Sequence, residues 1–146
     1  MKYTHTQSVP MPVLFGGGLV GWLTTNAIKN PFARTLATGA LALTGEVMRS
    51  LAVEVGEEEV HITYGAGLVQ KSFKLSEVES CKQRRLSPVH GWGIHWIGNG
   101  WLYNIYGLDA VELNFKNGTV AVIGTDEPTE LEQAILDQLR TRRFVD

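Results

Sequence analysis

The stretch that decides the fold is residues 91–124, which read GWGIHWIGNGWLYNIYGLDAVELNFKNGTVAVIG. It holds three of the four tryptophans of the chain, set among glycines. Its second half alternates apolar and polar residues, and Asn117-Gly118 stands between two such runs. An Asn-Gly pair in this setting is a strong short-range signal for a β-hairpin. We therefore expect antiparallel strands here, within a mainly β domain of an α+β protein.

The same alternation begins earlier in the chain, at Leu51. Apolar residues recur at every second position in 51–55 and again in 60–64, with a glycine and three glutamates between the two runs. A period of two is typical of strands with one buried face. Further runs of this kind follow up to Gly124. Together they predict a seven-stranded antiparallel barrel or sandwich.

A single amphipathic helix is expected after the last strand. Residues 125–128, Thr-Asp-Glu-Pro, combine capping side chains, acidic residues and an early proline, which is typical of a helix start. Leu131, Ile135 and Leu139 then fall on one helical face. We expect this C-terminal helix to cap the open mouth of the barrel.

The first part of the chain differs in charge from the rest. Residues 1–45 contain three basic residues and no acidic one, so all fifteen acidic residues lie in 46–146. No charged residue occurs from Tyr3 through Ile28, and a second uncharged run covers 35–45. Two apolar segments around a proline-containing loop predict a helical hairpin. The chain is accordingly divided into an apolar helical hairpin at 1–49 and a β domain at 50–146.

This hairpin is interpreted in two ways. A helix over 11–28 would be about 27 Å long, close to the roughly 30 Å of a hydrocarbon core, which favours a membrane anchor made of transmembrane helices. The abundance of glycine and threonine favours the alternative, a soluble homo-oligomer with the hairpin at its subunit interface. Gly17 and Gly21 form a step that permits close helix packing. The candidate interface residues are Gly17, Gly21, Trp22, Trp92 and Trp96.

Several motifs resemble those of small bacterial membrane proteins with a pleckstrin-homology-like (PH-like) domain. They are Gly91-Trp92-Gly93-Ile94, Trp101-Leu102-Tyr103-Asn104, the run from Gly107 to Leu113 and the run from Ile123 to Pro128. The resemblance covers about residues 46–139 and implies a PH-like domain preceded by two hydrophobic spans. It also implies a location at the bacterial inner membrane with the domain in the cytoplasm. A cytoplasmic location of the whole chain is the alternative.

A group of cations is the sharpest candidate for a ligand site. If the third and fourth predicted strands are neighbours, five basic residues gather near one rim and attract anionic lipid head groups: Lys71, Lys74, Lys82, Arg84 and Arg85. The alternative is an ordinary solvated strand face that Glu77 and Glu79 balance.

No pattern of catalytic residues stands out in the chain. The four histidines are too scattered for a metal pair, and no Ser-His-Asp or Cys-His arrangement surrounds the single cysteine, Cys81. A net charge of −2 does not indicate a nucleic-acid-binding domain. We therefore expect a noncatalytic binding or assembly module without cofactor or metal. Its expected partners are a membrane or lipid head groups, or further copies of itself as a homo-oligomer.

Overall fold

The computed structural model of the chain describes residues 2–144. Within that range the chain forms nine strands, three α-helices and two short 3₁₀ turns at Leu75–Glu77 and Pro88–His90. In chain order the strands and α-helices are β1 Tyr3–Ser8, α1 Met11–Asn26, α2 Pro31–Met48, β2 Ser50–Val55, β3 Glu59–Tyr64, β4 Val69–Lys74, β5 Val78–Arg85, β6 Gly93–Trp96, β7 Gly100–Asn104, β8 Asp109–Phe115, β9 Val120–Gly124 and α3 Pro128–Arg143.

The strands form two sheets. The first sheet has the order β1-β2-β3-β4 and is antiparallel throughout. The second has the order β5-β8-β9-β7-β6, and its β7 runs parallel to β9, with Gly100 opposite Val120 and Tyr103 opposite Ile123. Within residues 2–144 no ladder joins the two sheets, so they do not close into a barrel.

The predicted seven-stranded antiparallel barrel is therefore wrong. β1 is a strand within residues 1–49, for which the sequence predicts only a helical hairpin. It pairs with β2 from Tyr3 opposite Val55 to Ser8 opposite Ser50. The prediction paired each strand with the next one in the sequence. It therefore missed the parallel pairing of β7 with β9, because β8 lies between these strands in the sequence. By contrast, the hairpin at Asn117-Gly118 is confirmed, since it joins β8 to β9.

The larger of two hydrophobic clusters in the described residues lies between the two sheets and α3. Val55, Val60 and Ile62 of the first sheet are fully buried in it. The predicted C-terminal helix is confirmed as α3, and its Leu131 and Ile135 are fully buried against the strands. Each such side chain contributes roughly 1.5–3 kcal/mol by leaving water. We call the two sheets and α3 the body of the molecule.

Helices α1 and α2 form a hairpin that is inserted between the paired strands β1 and β2. At its base the N–H of Val9 donates to the carbonyl oxygen of Arg49 at 3.0 Å, so the chain leaves and re-enters the sheet side by side. The turn after β3 supports the end of α2. Gly65 lies there at a φ of +52°, and a Cβ on it would collide with the backbone of Glu46. Glycine is required at this approach for both reasons.

No helix within residues 2–144 is long and apolar enough to cross a membrane. The predicted transmembrane helices are therefore wrong. α1 ends at Asn26 after 16 residues, which is about 24 Å of helix. α2 has 18 residues but includes Arg34 and Glu46 among mostly small side chains. The inner-membrane location thereby loses the two spans on which it was based, and the cytoplasmic alternative stays a prediction.

Candidate functional site

The helical hairpin exposes a large apolar surface. Nine large apolar side chains of α1 and α2 are more than half exposed, from 55% at Trp22 to 73% at Phe32. We call them the hairpin surface: Met11, Phe15, Leu19, Val20, Trp22, Leu23, Phe32, Leu36 and Leu43. Not one residue of α2 is buried. A monomeric protein rarely leaves so many neighbouring apolar side chains in water.

Both helices present an outward stripe with the same spacing. On α1 the stripe is Met11, Phe15, Gly18 and Trp22, and on α2 it is Phe32, Leu36, Gly39 and Leu43. Steps of four, three and four residues keep side chains on one narrow line of a helix. A Cβ at either Gly18 or Gly39 would meet nothing within 4 Å. These two glycines are therefore not needed for packing within the chain.

The candidate interface residues on α1 have different surroundings. A Cβ on Gly21 would overlap the side chain of Leu41, so this glycine lets the two helices of the hairpin approach each other. Gly17 faces open space, where a Cβ would meet nothing within 4 Å. Trp22 belongs to the hairpin surface. Sequence reasoning thus named Trp22 but missed the two stripes, although their spacing is present in the sequence.

The other two candidate interface residues belong to the second sheet and the loop before it. Trp92 precedes β6, is 54% exposed and lies 5.3 Å from the ring of Tyr106. Trp96 ends β6, is 53% exposed and lies edge-on to Trp101 at 5.9 Å. Neither contributes to the hairpin surface.

The basic residues of β5 are paired with acids of the neighbouring strand. Arg84 Nη1 lies 2.7 Å from Glu112 Oε2, and Lys82 Nζ lies 3.4 Å from Glu112 Oε1. Arg85 Nη1 lies 2.9 Å from Asp109 Oδ1. Three of the five candidate cations thus make ion pairs and share two carboxylates, which agrees better with a solvated strand face than with an anion site.

The remaining two candidate cations, Lys71 and Lys74, lie on β4. β4 belongs to the first sheet and β5 to the second, so the strand neighbourhood that would gather all five cations is not formed. Within residues 2–144 neither lysine makes an ion pair. Binding of lipid head groups by this set stays a prediction without support from its geometry.

A cleft of about 640 Å³ opens between β4 and the far end of the second sheet. This volume lies within the roughly 300–1,000 Å³ of ordinary ligand sites. Its wall includes neighbouring aromatic rings: the ring centroid of Phe73 lies 5.5 Å from that of Tyr103, edge to face, and 6.0 Å from that of Phe115. Burial raises the pKa of Tyr103, so its phenol stays protonated at neutral pH. No sequence pattern indicates this cleft, because its lining comes from strands far apart in the chain.

The motifs that carry the PH-like resemblance have a structural role around the end of β7. Asn104 is fully buried, its Nδ2 donates to the carbonyl oxygen of Gly107 at 3.1 Å, and its Oδ1 accepts from the N–H of Ile105 at 2.9 Å. Gly107 has a φ of +84°, and a Cβ on Gly124 would collide with the Asn104 side chain. These residues build the turn between β7 and β8 and its contact with β9.

The side chains of Cys81 and His5 both make contacts within the chain. Burial, followed by the charge of Glu132, raises the pKa of the Cys81 thiol to about 12, so the thiol is protonated and unreactive at neutral pH. His5 lies 2.6 Å from Asp126 and 3.2 Å from Glu127, which ties β1 to the start of α3. Within residues 2–144 no group of three His, Cys, Asp or Glu side chains could hold a metal ion.

Comparison with known proteins gives no further assignment: no protein-family model matches the chain, and no curated protein matches it. The resemblance to bacterial PH-like proteins therefore stays a prediction.

Proposed function

We propose that this protein is a noncatalytic assembly module in which the helical hairpin joins copies of the chain into a homo-oligomer. The observation that carries this proposal is the exposure of all nine side chains of the hairpin surface. A helix that is apolar on a broad face is normally buried against other helices. The body offers the hairpin contact only at its base, so its cover comes from outside the chain.

The area of the hairpin surface matches what a stable interface needs. A large apolar side chain that is more than half exposed presents roughly 100 Å², which gives about 900 Å² for the nine. A standard interface buries about 800 Å² on each partner, whereas the largest apolar patch of a monomer is about 300–600 Å². The total area is therefore sufficient for an interface with further copies of the hairpin.

The two stripes favour helices as the covering partner. Their four-three-four spacing is that of helices packed side by side, where a large side chain of one helix enters a gap on the other. Gly18 and Gly39 supply such gaps, and nothing within the chain fills them. A glycine within a helix costs about 1 kcal/mol relative to alanine, and close packing against a partner would offset that cost.

A helix that lies on a lipid surface has a different pattern. Such a helix carries a strongly charged polar face opposite its apolar one. α1 contains no charged residue, and the polar side chains Thr24, Thr25 and Asn26 at its end bond to carbonyl oxygens of the same helix. A second copy of the hairpin is therefore the better match.

The proposal is tested by the mass of the particle in solution. We would replace Phe32 and Leu36 together by glutamate and compare the variant with the unchanged chain by sedimentation equilibrium. The unchanged chain is expected to form a defined multimer and the variant a monomer, because two charges on each α2 stripe cannot be desolvated at an interface.

Val89→Glu is the matched control for this test. Val89 is 93% exposed but lies between β5 and β6, far in sequence from the hairpin, so the control is expected to retain the multimer. A monomeric unchanged chain would contradict the proposal, and so would a Phe32→Glu/Leu36→Glu variant that keeps the multimer mass. Hairpin-dependent flotation of a monomer with lipid vesicles would replace it with membrane-surface binding.

A further inference from the structure

The cleft between the two sheets follows an unpaired strand edge. It touches three successive residues of β4: Lys71, Ser72 and Phe73. Successive strand residues point to opposite faces, so a cavity that touches all three runs along the edge of the strand. β4 is the last strand of the first sheet, and within residues 2–144 no strand pairs with its outer edge. Its free backbone N–H and C=O groups therefore border the cleft.

The opposite wall of the cleft combines large apolar and aromatic side chains of β6 and β7 with the polar side chains of Asn117 and Thr119. Ile94 and Trp96 come from β6, and Trp101 and Tyr103 come from β7. Trp96 and Trp101 are about half exposed, at 53% and 46%. An extended chain that pairs with β4 would thus rest its side chains on aromatic rings, which are efficient anchors at binding sites.

Two unpaired charges mark the cleft. Lys71 is opposite the fully buried Ile62 in the β3–β4 ladder, so it lies on the inner face of the sheet, yet it is exposed at the cleft. Glu77 lines the cleft just beyond the end of β4. Within the described residues neither side chain makes an ion pair. An inward lysine on an edge strand discourages pairing with any strand that leaves its charge uncompensated, a second copy of β4 included. The complementary occupant is therefore a segment with an acidic residue next to Lys71.

We propose that this cleft binds an extended peptide segment of another protein by strand addition to β4. β4 has six residues and is about 20 Å long, so it pairs with a segment of similar length. The segment carries apolar side chains toward the aromatic wall, an acidic residue toward Lys71 and a basic residue toward Glu77. Backbone hydrogen bonds give the affinity and the two charges give the specificity. This proposal is independent of assembly through the hairpin.

The test uses the full chain and a random heptapeptide library displayed on phage. Selected peptides are synthesised, and their affinities are measured for the unchanged protein and for the double variant Lys71→Glu/Glu77→Lys. Both positions are exposed, so the variant is expected to fold. The control is Lys29→Glu/Glu79→Lys, which makes the same exchange at exposed positions outside both β4 and the cleft lining. Each peptide is also made with alternate backbone nitrogens methylated along one edge or along the other.

We expect selected peptides to carry an acidic and a basic residue and to lose about tenfold or more in affinity for the Lys71→Glu/Glu77→Lys variant, with no such loss for the control. Methylation along one peptide edge should abolish binding, whereas methylation along the other should not, because only one edge pairs with β4. No enrichment of any peptide would overturn the proposal. Equal affinity for the unchanged protein and the cleft variant, or indifference to methylation of either edge, would overturn it as well.

Discussion

The helical hairpin and the body contain apolar residues of similar kinds but bury them to opposite extents. Val60 and Ile62 in the body have no exposed surface, whereas Phe15 and Phe32 on the hairpin are 70% and 73% exposed. The body builds its core mainly from its own sheets and α3, and the hairpin adds only side chains at its base: Val13, Leu14, Val47 and Met48. Within the described residues, no other element covers the exposed apolar side chains of the hairpin. Our proposal assigns the stability of the monomer to the body and its association to the hairpin, and this difference in burial is its basis.

The largest expected effect on the stability of the single chain comes from the body. Leu131→Ala should lower the free energy of unfolding by about 2–5 kcal/mol, because Leu131 is fully buried and its truncation leaves a cavity. The same truncation on the hairpin, Leu36→Ala, should change it by no more than about 0.5 kcal/mol in the dissociated monomer. Urea denaturation at a protein concentration low enough for dissociation measures both. If Leu36→Ala lowered the free energy of unfolding as much as Leu131→Ala, the proposed difference between the hairpin and the body would be wrong.

A smaller effect is expected at the buried turn after β7. Asn104→Ala should cost about 1–3 kcal/mol of unfolding free energy, because it leaves the Ile105 N–H and the Gly107 carbonyl without their partner. Asn99→Ala is the matched control, since Asn99 is exposed and makes no side-chain hydrogen bond in the described structure. Thermal unfolding compares the two variants. Equal melting temperatures would show that the turn does not depend on Asn104.

The smallest effect is expected at the ion pairs between β5 and β8. Glu112→Gln should lower the free energy of unfolding by about 1 kcal/mol. Glu112 is buried, but its partners Arg84 and Lys82 reach solvent, which screens the interaction. Glu79→Gln serves as the control because Glu79 is exposed and unpaired in the described structure. Urea denaturation at low and high salt gives the test. A decrease of several kcal/mol in the free energy of unfolding would contradict this estimate, because it would show that solvent does not screen these ion pairs.

The parts of the fold that depend on neighbouring residues could be predicted from the sequence. Asn117-Gly118 forms the turn between β8 and β9, and the signals at Thr125 to Pro128 precede α3 as expected. Both depend on backbone preferences that act within a few residues. Pairing between distant strands leaves no such local signal. β1 next to β2, across the whole hairpin, and β7 next to β9 were therefore missed.

The hairpin surface and the cleft also differ in how far they can be predicted from the sequence. The hairpin surface repeats at helical spacing within single segments, so Phe32, Leu36 and Leu43 could have been recognised from the sequence as one stripe. The cleft depends on the approach of β4 to β7, about 30 residues later in the chain. Its lining combines Lys71 with Tyr103 only after both sheets have formed. Periodicity therefore indicates exposed helical surfaces but not clefts between sheets.

The most direct test of the account is the sedimentation velocity of a chain without its hairpin. Val9 and Arg49 are joined by a backbone hydrogen bond, so residues 10–48 can be replaced by an Asn-Gly turn that links β1 to β2. The full chain is predicted to sediment as a defined multimer, and the shortened chain as a folded monomer with unchanged β-sheet circular dichroism. A full chain that sediments as a monomer, or a shortened chain that keeps the multimer, would contradict the assignment of assembly to the hairpin.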